Sequence, residues 1–140
     1  LLLNQTIENQ QKSEVQAPQI STTVFNDDRT NGLNIFKSYC ASCHGMDGRG
    51  QKKVAPSLID SEILKGKDTK IADIILHGYQ SPSKDYQMMM PAYINDSNMS
   101  DQDILDIVSY LKSTFTADWS SLMIDQVDSL RKLEQKEVKK

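Results

Sequence analysis

Apolar residues recur at helical spacing in three stretches of the chain, and each stretch predicts a helix. The first helix should begin near Thr30 or Asn31, because either residue can serve as an N-cap. Its apolar face comprises Gly32, Ile35, Phe36, Tyr39 and Cys40. The second helix should begin at Asp68 or Thr69 and end before Gly78, since glycine commonly terminates helices. Its apolar face comprises Ile71, Ile74 and Ile75.

The third helix has the strongest start signals. Ser100 is a suitable N-cap, and Asp103 stands where the acid of a capping box is expected. Met99 can pack against Ile104 across this first turn. The helix should extend from Asp101 to about Phe115, with a buried stripe of Ile104, Ile107, Val108 and Leu111. No stretch predicts a strand, so the fold class should be all-α, with three or four helices.

Outside these helices the pattern is lost, which divides the chain into three parts. Residues 1–28 are polar and should form a tether or strap, and residues 29–116 should form the one compact domain. Within that domain, the loop of residues 79–98 is long enough to suggest a functional role. The tail, residues 117–140, should contain a short helix, packed on the domain or frayed from it, with Val127, Leu130 and Leu133 at three-residue steps.

Composition adds little that is specific. The net charge of −3 gives no reason to expect binding to nucleic acid or to an anionic membrane. The hydrophobic fraction of 38% is modest, so a large bound apolar group would help to complete the core. No segment is long enough to cross a bilayer. The opening Leu1–Leu3 fits the end of a removed signal or of an upstream anchor, and membrane association is expected only through such an anchor or a partner complex.

The chemistry is concentrated in the pentapeptide Cys40-Ala41-Ser42-Cys43-His44. The C-x-x-C-H spacing is the attachment signature of a c-type haem, in which both thiols form thioethers and the histidine binds the iron. A zinc site would need four ligands, but the chain has one cysteine pair and a single further histidine, His77. A thioredoxin-like redox pair would be expected beside a βαβ pattern, which is absent. The motif therefore predicts one covalently attached haem c.

The second axial ligand has two kinds of candidate. Met88, Met89 and Met90 lie together in the long loop, and a methionine ligand is typical of electron-carrying c-type proteins. His77, near the end of the second helix, is the competing ligand and would give a lower potential. The residues alone leave both options open.

Taken together, these motifs resemble those of the class I (mitochondrial-like) bacterial monohaem cytochromes c. Gly32 and Phe36 resemble the glycine and aromatic of the family's first helix, and Tyr110 the aromatic of its last helix. The resemblance implies that these N- and C-terminal helices cross closely while the fold wraps around the haem. Ala55–Leu58, with the sequence Ala-Pro-Ser-Leu, resembles the Gly-Pro-Asn-Leu segment of the family. Met90–Tyr93, with the sequence Met-Pro-Ala-Tyr, resembles its Met-Pro-x-Phe/Tyr segment. They imply that the Pro56 carbonyl orients the axial histidine, that Leu58 packs on the haem and that Met90 is the second ligand.

The same resemblance implies a one-electron carrier rather than an enzyme. Its partners would be an electron donor and an acceptor protein, such as a dehydrogenase, a terminal oxidase or another membrane respiratory complex. Haem attachment in the family takes place outside the bacterial cytoplasmic membrane, so a periplasmic or periplasm-facing location is expected. Two alternatives remain: a haem subunit or domain of a larger respiratory complex, and, less favoured, a peroxidase or gas sensor with a labile methionine ligand.

Overall fold

A computed structural model describes residues 28–137, and the regular elements among them are helical. They are α1 (Asp28–Ile35), a π-helical segment (Phe36–Cys40), α2 (Ala41–His44), α3 (Glu62–Lys65), α4 (Asp68–His77), α5 (Asp101–Phe115) and α6 (Ile124–Glu137). Extended pairing within this part of the chain is limited to two isolated antiparallel bridges, Gln51–Ala55 and Tyr79–Met90. The all-α prediction is confirmed. The predicted strap lies, apart from Asp28, outside the described residues.

Helices α1 and α5 cross closely at Gly32. A Cβ atom on Gly32 would lie 2.5 Å from the Asp106 carbonyl oxygen and 2.5 Å from the Tyr110 Cβ, so only glycine permits this approach. One turn later the buried Phe36 ring packs on Tyr110 and Phe115, with centroids 5.5 and 5.3 Å apart. The crossing implied by the family resemblance is therefore confirmed, although α5 is followed by a further helix.

The predicted start of the first helix is wrong. Asp28 is already helical, and Asn31 lies inside α1 rather than at its N-cap. The Asn31 side-chain amide donates across the crossing to the carboxylates of Asp103 (3.0 Å) and Asp106 (2.5 Å) of α5. A polar side chain that looked like a local cap is thus used in a long-range contact.

A π-helical turn leads into the C-x-x-C-H motif and includes its first residue, Cys40. The N–H of Ala41 donates to the carbonyl of Phe36, five residues earlier, instead of to the residue four earlier. Such a turn inserts one residue into the helix and is frequently found at functional sites. No sequence signal predicted this turn, which is followed directly by the short helix α2 that carries Cys43 and His44.

Helices α4 and α5 match their predictions closely. Helix α4 ends before Gly78, whose φ of 81° closes the helix, although its N-cap is Lys67 rather than Asp68 or Thr69. Helix α5 has the predicted capping box between Ser100 and Asp103. Its predicted apolar stripe is buried, as are the isoleucines of α4.

Helix α6 packs on α4 and α5 through Val127, which is fully buried. The segment before it is fixed at Asp68, whose carboxylate accepts hydrogen bonds from the backbone N–H and hydroxyl of Ser121 and from the Ser120 hydroxyl. The same carboxylate pairs with Lys112 at 2.6 Å, and both side chains are at most 10% exposed. None of the helices described is both long and apolar enough to span a membrane.

Candidate functional site

A cavity of about 440 Å³ opens between the C-x-x-C-H turn, the loop after it, α4 and the long loop. Its walls contain all six residues that the sequence singled out: Cys40, Cys43, His44, Pro56, Leu58 and Met90. Residues up to 50 positions apart in the chain are thus brought to one site. Four tyrosines also line it, of which only Tyr93 had been part of a recognised motif.

His44 is oriented by a contact with the backbone of the loop that follows the motif. Its Nδ1 atom lies 3.0 Å from the Pro56 carbonyl oxygen. A carbonyl can only accept, so Nδ1 carries the proton, which leaves Nε2 with a free lone pair. Burial lowers the pKa of His44 below its ordinary value of 6.5, against the opposing effect of the Pro56 hydrogen bond. The imidazole is therefore neutral near pH 7, the form that binds a metal.

Cys40 and Cys43 are both free thiols at the cavity wall. Burial raises the pKa of the Cys40 thiol to about 12, and the neighbouring Cys43 adds to the shift. Since the thiolate is the reactive form, Cys40 is a poor redox nucleophile in the folded chain. The raised pKa of Cys40 argues against the thioredoxin-like alternative, in which a reactive thiolate is needed.

The three methionines of the long loop differ in how firmly they are held. All three line the cavity, but Met88 and Met89 are 55% and 61% exposed, whereas Met90 is partly buried against the core. The backbone of Met90 pairs with Tyr79 through hydrogen bonds of 2.8 and 3.1 Å. Met90 is therefore the methionine with a fixed backbone at the cavity wall.

Tyr93 ties the long loop to the helix that carries the cysteines. Its hydroxyl donates to the Tyr39 carbonyl at 3.1 Å, and the two rings meet edge to face with centroids 5.5 Å apart. The backbone N–H of Tyr93 donates to the carbonyls of Ile75 and Leu76 near the end of α4. The role of Tyr39 had no signal in the sequence, because it depends on a contact across 54 residues.

His77 lies away from the cavity and does not line it. Its Nδ1 atom is 2.7 Å from an Asp73 carboxylate oxygen, one turn earlier on α4. The geometry thus gives no support to His77 as the second ligand. Within residues 28–137, no group of three or more His, Cys, Asp or Glu side chains is arranged to hold a metal ion.

The cavity fits the prosthetic group that the motif predicts. Most of its wall is apolar, including Leu64, Ile71, Ile74 and Ile75, which suits the face of a porphyrin. One neutral imidazole nitrogen and one thioether sulfur form the donor set used by haem iron in electron-transferring proteins. Two thiols at the wall supply the points of covalent attachment.

Comparison with known proteins gives consistent results. The cytochrome c family model matches residues 30–115. Over 107 residues the chain is 29% identical to the cytochrome subunit of a fructose dehydrogenase from Gluconobacter japonicus, covering 73% of this chain and 22% of that protein. Over 87 residues it is 33% identical to the CcoP subunit of the cbb3-type cytochrome c oxidase of Rhodobacter capsulatus, covering 59% and 29%.

Among solved structures, the chain is similar to the c-type cytochrome XoxG from Methylobacterium extorquens AM1. The TM-score is 0.51 at 21% sequence identity, covering 76% of this chain and 65% of the other. At this level of sequence identity, the similarity shows a shared fold alone. The chain spans less than a third of the length of the two curated relatives.

Proposed function

Because the chain belongs to the cytochrome c family and carries haem c on Cys40 and Cys43, we propose that it relays single electrons with His44 and Met90 as axial ligands. The family accounts for the electron transfer and the cofactor, and the proposal adds the ligand pair and the partners. The observation that carries it is the meeting of His44, Met90 and both cysteines at one apolar cavity. When bound, the haem supplies a redox centre that gains and loses one electron.

The residues of the chain hold the two ligands in place. Pro56 fixes the tautomer and direction of His44. Tyr79 pairs with the backbone of Met90 itself, and Tyr93 holds the chain that follows Met90. Ligand side chains held in this way need to move little when the haem gains or loses one electron. A methionine ligand also favours the reduced state and so raises the potential relative to a second histidine.

Electron exchange requires a route to a partner protein. The mouth of the cavity is bordered by the exposed side chains of Met88 and Met89, which present an apolar surface there. We assign the approach of the donor and acceptor to this side. The relatives that the chain resembles are subunits of a dehydrogenase and of an oxidase, which supports partners of these two kinds. As in the family generally, the location would be periplasmic or periplasm-facing.

A second candidate role is that of a haem subunit or domain within a larger redox assembly. The relatives are named as subunits, and this chain corresponds to less than a third of their length. Mass measurement of the native protein in its membrane and periplasmic fractions separates the two roles. A free monomer supports a carrier, whereas a stable complex supports a subunit.

The ligand assignment is tested by substituting each methionine in turn. Met90→Ala should abolish the iron–sulfur absorption band of the ferric protein and lower its potential, because the thioether is lost. Met88→Ala and Met89→Ala, the matched controls, should retain both. Loss of the band in Met88→Ala or Met89→Ala alone would show that the wrong methionine was assigned. A high-spin, ligand-accessible iron in the wild type would instead support the peroxidase or sensor alternative.

A further inference from the structure

Arg131, on the C-terminal helix α6, contacts the end of the long loop that contains Met90. We propose that Arg131 is a positioning residue for Met90, although it lies outside the span matched by the family model. This inference rests on the proposed ligation by Met90.

The guanidinium group of Arg131 makes three hydrogen bonds at once. Its Nε donates to the Asp101 carboxylate at the start of α5. Its Nη1 donates to the Ile94 carbonyl at 3.0 Å, and its Nη2 donates to the Met99 carbonyl at 2.5 Å. The side chain is only 20% exposed, so these bonds are partly shielded from water. The planar fork of arginine therefore joins both ends of residues 94–99 to α6 and, through Asp101, to the start of α5.

Separate hydrogen bonds hold the chain at several points between this fork and Met90. The N–H of Ile94 donates to the Leu76 carbonyl at 3.0 Å, so Ile94 is held between α4 and α6. Tyr93, the residue before it, donates to α4 and to the Tyr39 carbonyl. Met90 then pairs with Tyr79 just beyond α4. The loop after Met90 is thereby fixed at successive points, and Arg131 supplies the contact at its far end.

Anchoring of α6 alone does not account for this arrangement. The helix already has a fully buried residue, Val127, and the segment before it is fixed at Asp68. Two of the three hydrogen bonds of Arg131 go instead to carbonyls at the end of the loop. Removing the fork leaves both carbonyls without these charge-assisted donors, a cost that falls on the loop.

The test uses the ferric holoprotein and its affinity for added imidazole, which competes with the methionine for the iron. We expect imidazole to bind about fivefold or more tightly to Arg131→Met than to the wild type, because a looser loop releases Met90 more readily. Arg131→Lys should behave in the same way, since a lysine cannot form the fork. Amide hydrogen exchange at Met90 and Ile94 should become about fivefold faster, with no change at Val108 in α5.

Two control variants separate positioning from general stability. Lys132→Met removes an exposed ion pair with Asp128 within α6 and should leave imidazole affinity unchanged. Ile107→Val weakens the core of α5 away from the cavity and reports the effect of lost stability alone. The proposal is overturned if Arg131→Met changes imidazole affinity no more than Ile107→Val does, or if Arg131→Lys restores wild-type affinity. If the wild type itself lacks the iron–sulfur band, the ligation by Met90 is wrong and this inference falls with it.

Discussion

Met90 and Tyr79 exchange two backbone hydrogen bonds, from the Met90 N–H to the Tyr79 carbonyl at 2.8 Å and back at 3.1 Å. The pairing begins one residue after Gly78, the residue that ends α4. A Cβ atom on Gly78 would lie only 2.7 Å from the Met90 carbonyl oxygen. The position of the proposed ligand therefore depends on a residue without a side chain.

Gly78→Ala should weaken both the fold and the ligand contact. Its φ of 81° and ψ of 175° lie in a region that is nearly exclusive to glycine. We expect a loss of about 2 kcal/mol in the free energy of unfolding, together with a weaker iron–sulfur band. Gly66→Ala is the control, because Gly66 has a φ of −82° and the Cβ would have no contact below 3.2 Å. Denaturant titration and absorption spectra measure both effects, and equal losses in the two variants would contradict the prediction.

Gly32→Ala should destabilise the crossing of α1 and α5. The added methyl group would overlap the Asp106 carbonyl and Tyr110, and overpacking of this kind costs about 1–3 kcal/mol. Asn34→Ala, at an exposed position of the same helix, controls for the change in helix propensity. Chemical denaturation of the holoprotein compares the two variants. A Gly32→Ala protein as stable as Asn34→Ala would show that the helices can separate without cost.

The buried pair of Lys112 and Asp68 should make stability depend on acid pH. Burial alone would raise the pKa of Asp68, but hydrogen bonds from Lys112 and Ser121 hold it below its ordinary value of 3.8. A lowered carboxyl pKa contributes stability above pH 3.8, which is lost as the pH falls through the folded-state pKa. For Lys112 burial again opposes the shift, yet its hydrogen bond to Asp68 raises its pKa above 10.5, so its contribution is lost only in strong alkali.

Lys112→Met should therefore cost about 3 kcal/mol at pH 7, because it leaves a buried carboxylate without its cation. Its stability should also fall less steeply than that of the wild type below pH 4. Lys132→Met, which removes an exposed ion pair, should follow the wild-type curve. Unfolding titrations between pH 2 and 7 provide the comparison, and parallel curves for wild type and Lys112→Met would refute the assignment.

Cys40→Ala and Cys43→Ala should each reduce stable holoprotein, because each removes one of the two points of haem attachment. Ser42→Ala, between them at an exposed position, should have no such effect. Extraction with acid and organic solvent is the measurement. Haem that is extracted from the wild type by this treatment would rule out covalent attachment.

Local signals predicted α4, α5 and the attachment motif well. The isoleucines of α4 and the capping box of Ser100 and Asp103 depend on neighbours within a few residues, and such patterns are readable along the chain. The partners of Asn31 and Arg131 were not, since each contacts residues at least thirty positions away. The π-helical turn was missed for a different reason, because the apolar spacing of residues 32–40 fits a regular α-helix and does not mark the inserted residue. Met90 was selected through a resemblance, because the three adjacent methionines cannot be told apart by local spacing.

The contacts of Asp68 bear on how the chain would respond to shortening. A chain cut after Phe115 would keep every residue of the cavity and the whole span that the family model matches. It would nevertheless lose the donors of Ser120 and Ser121 to Asp68, together with the buried Val127. We therefore expect stable folding to need a longer segment than the family model matches, and transplanting this haem site into another protein should carry α6 with it.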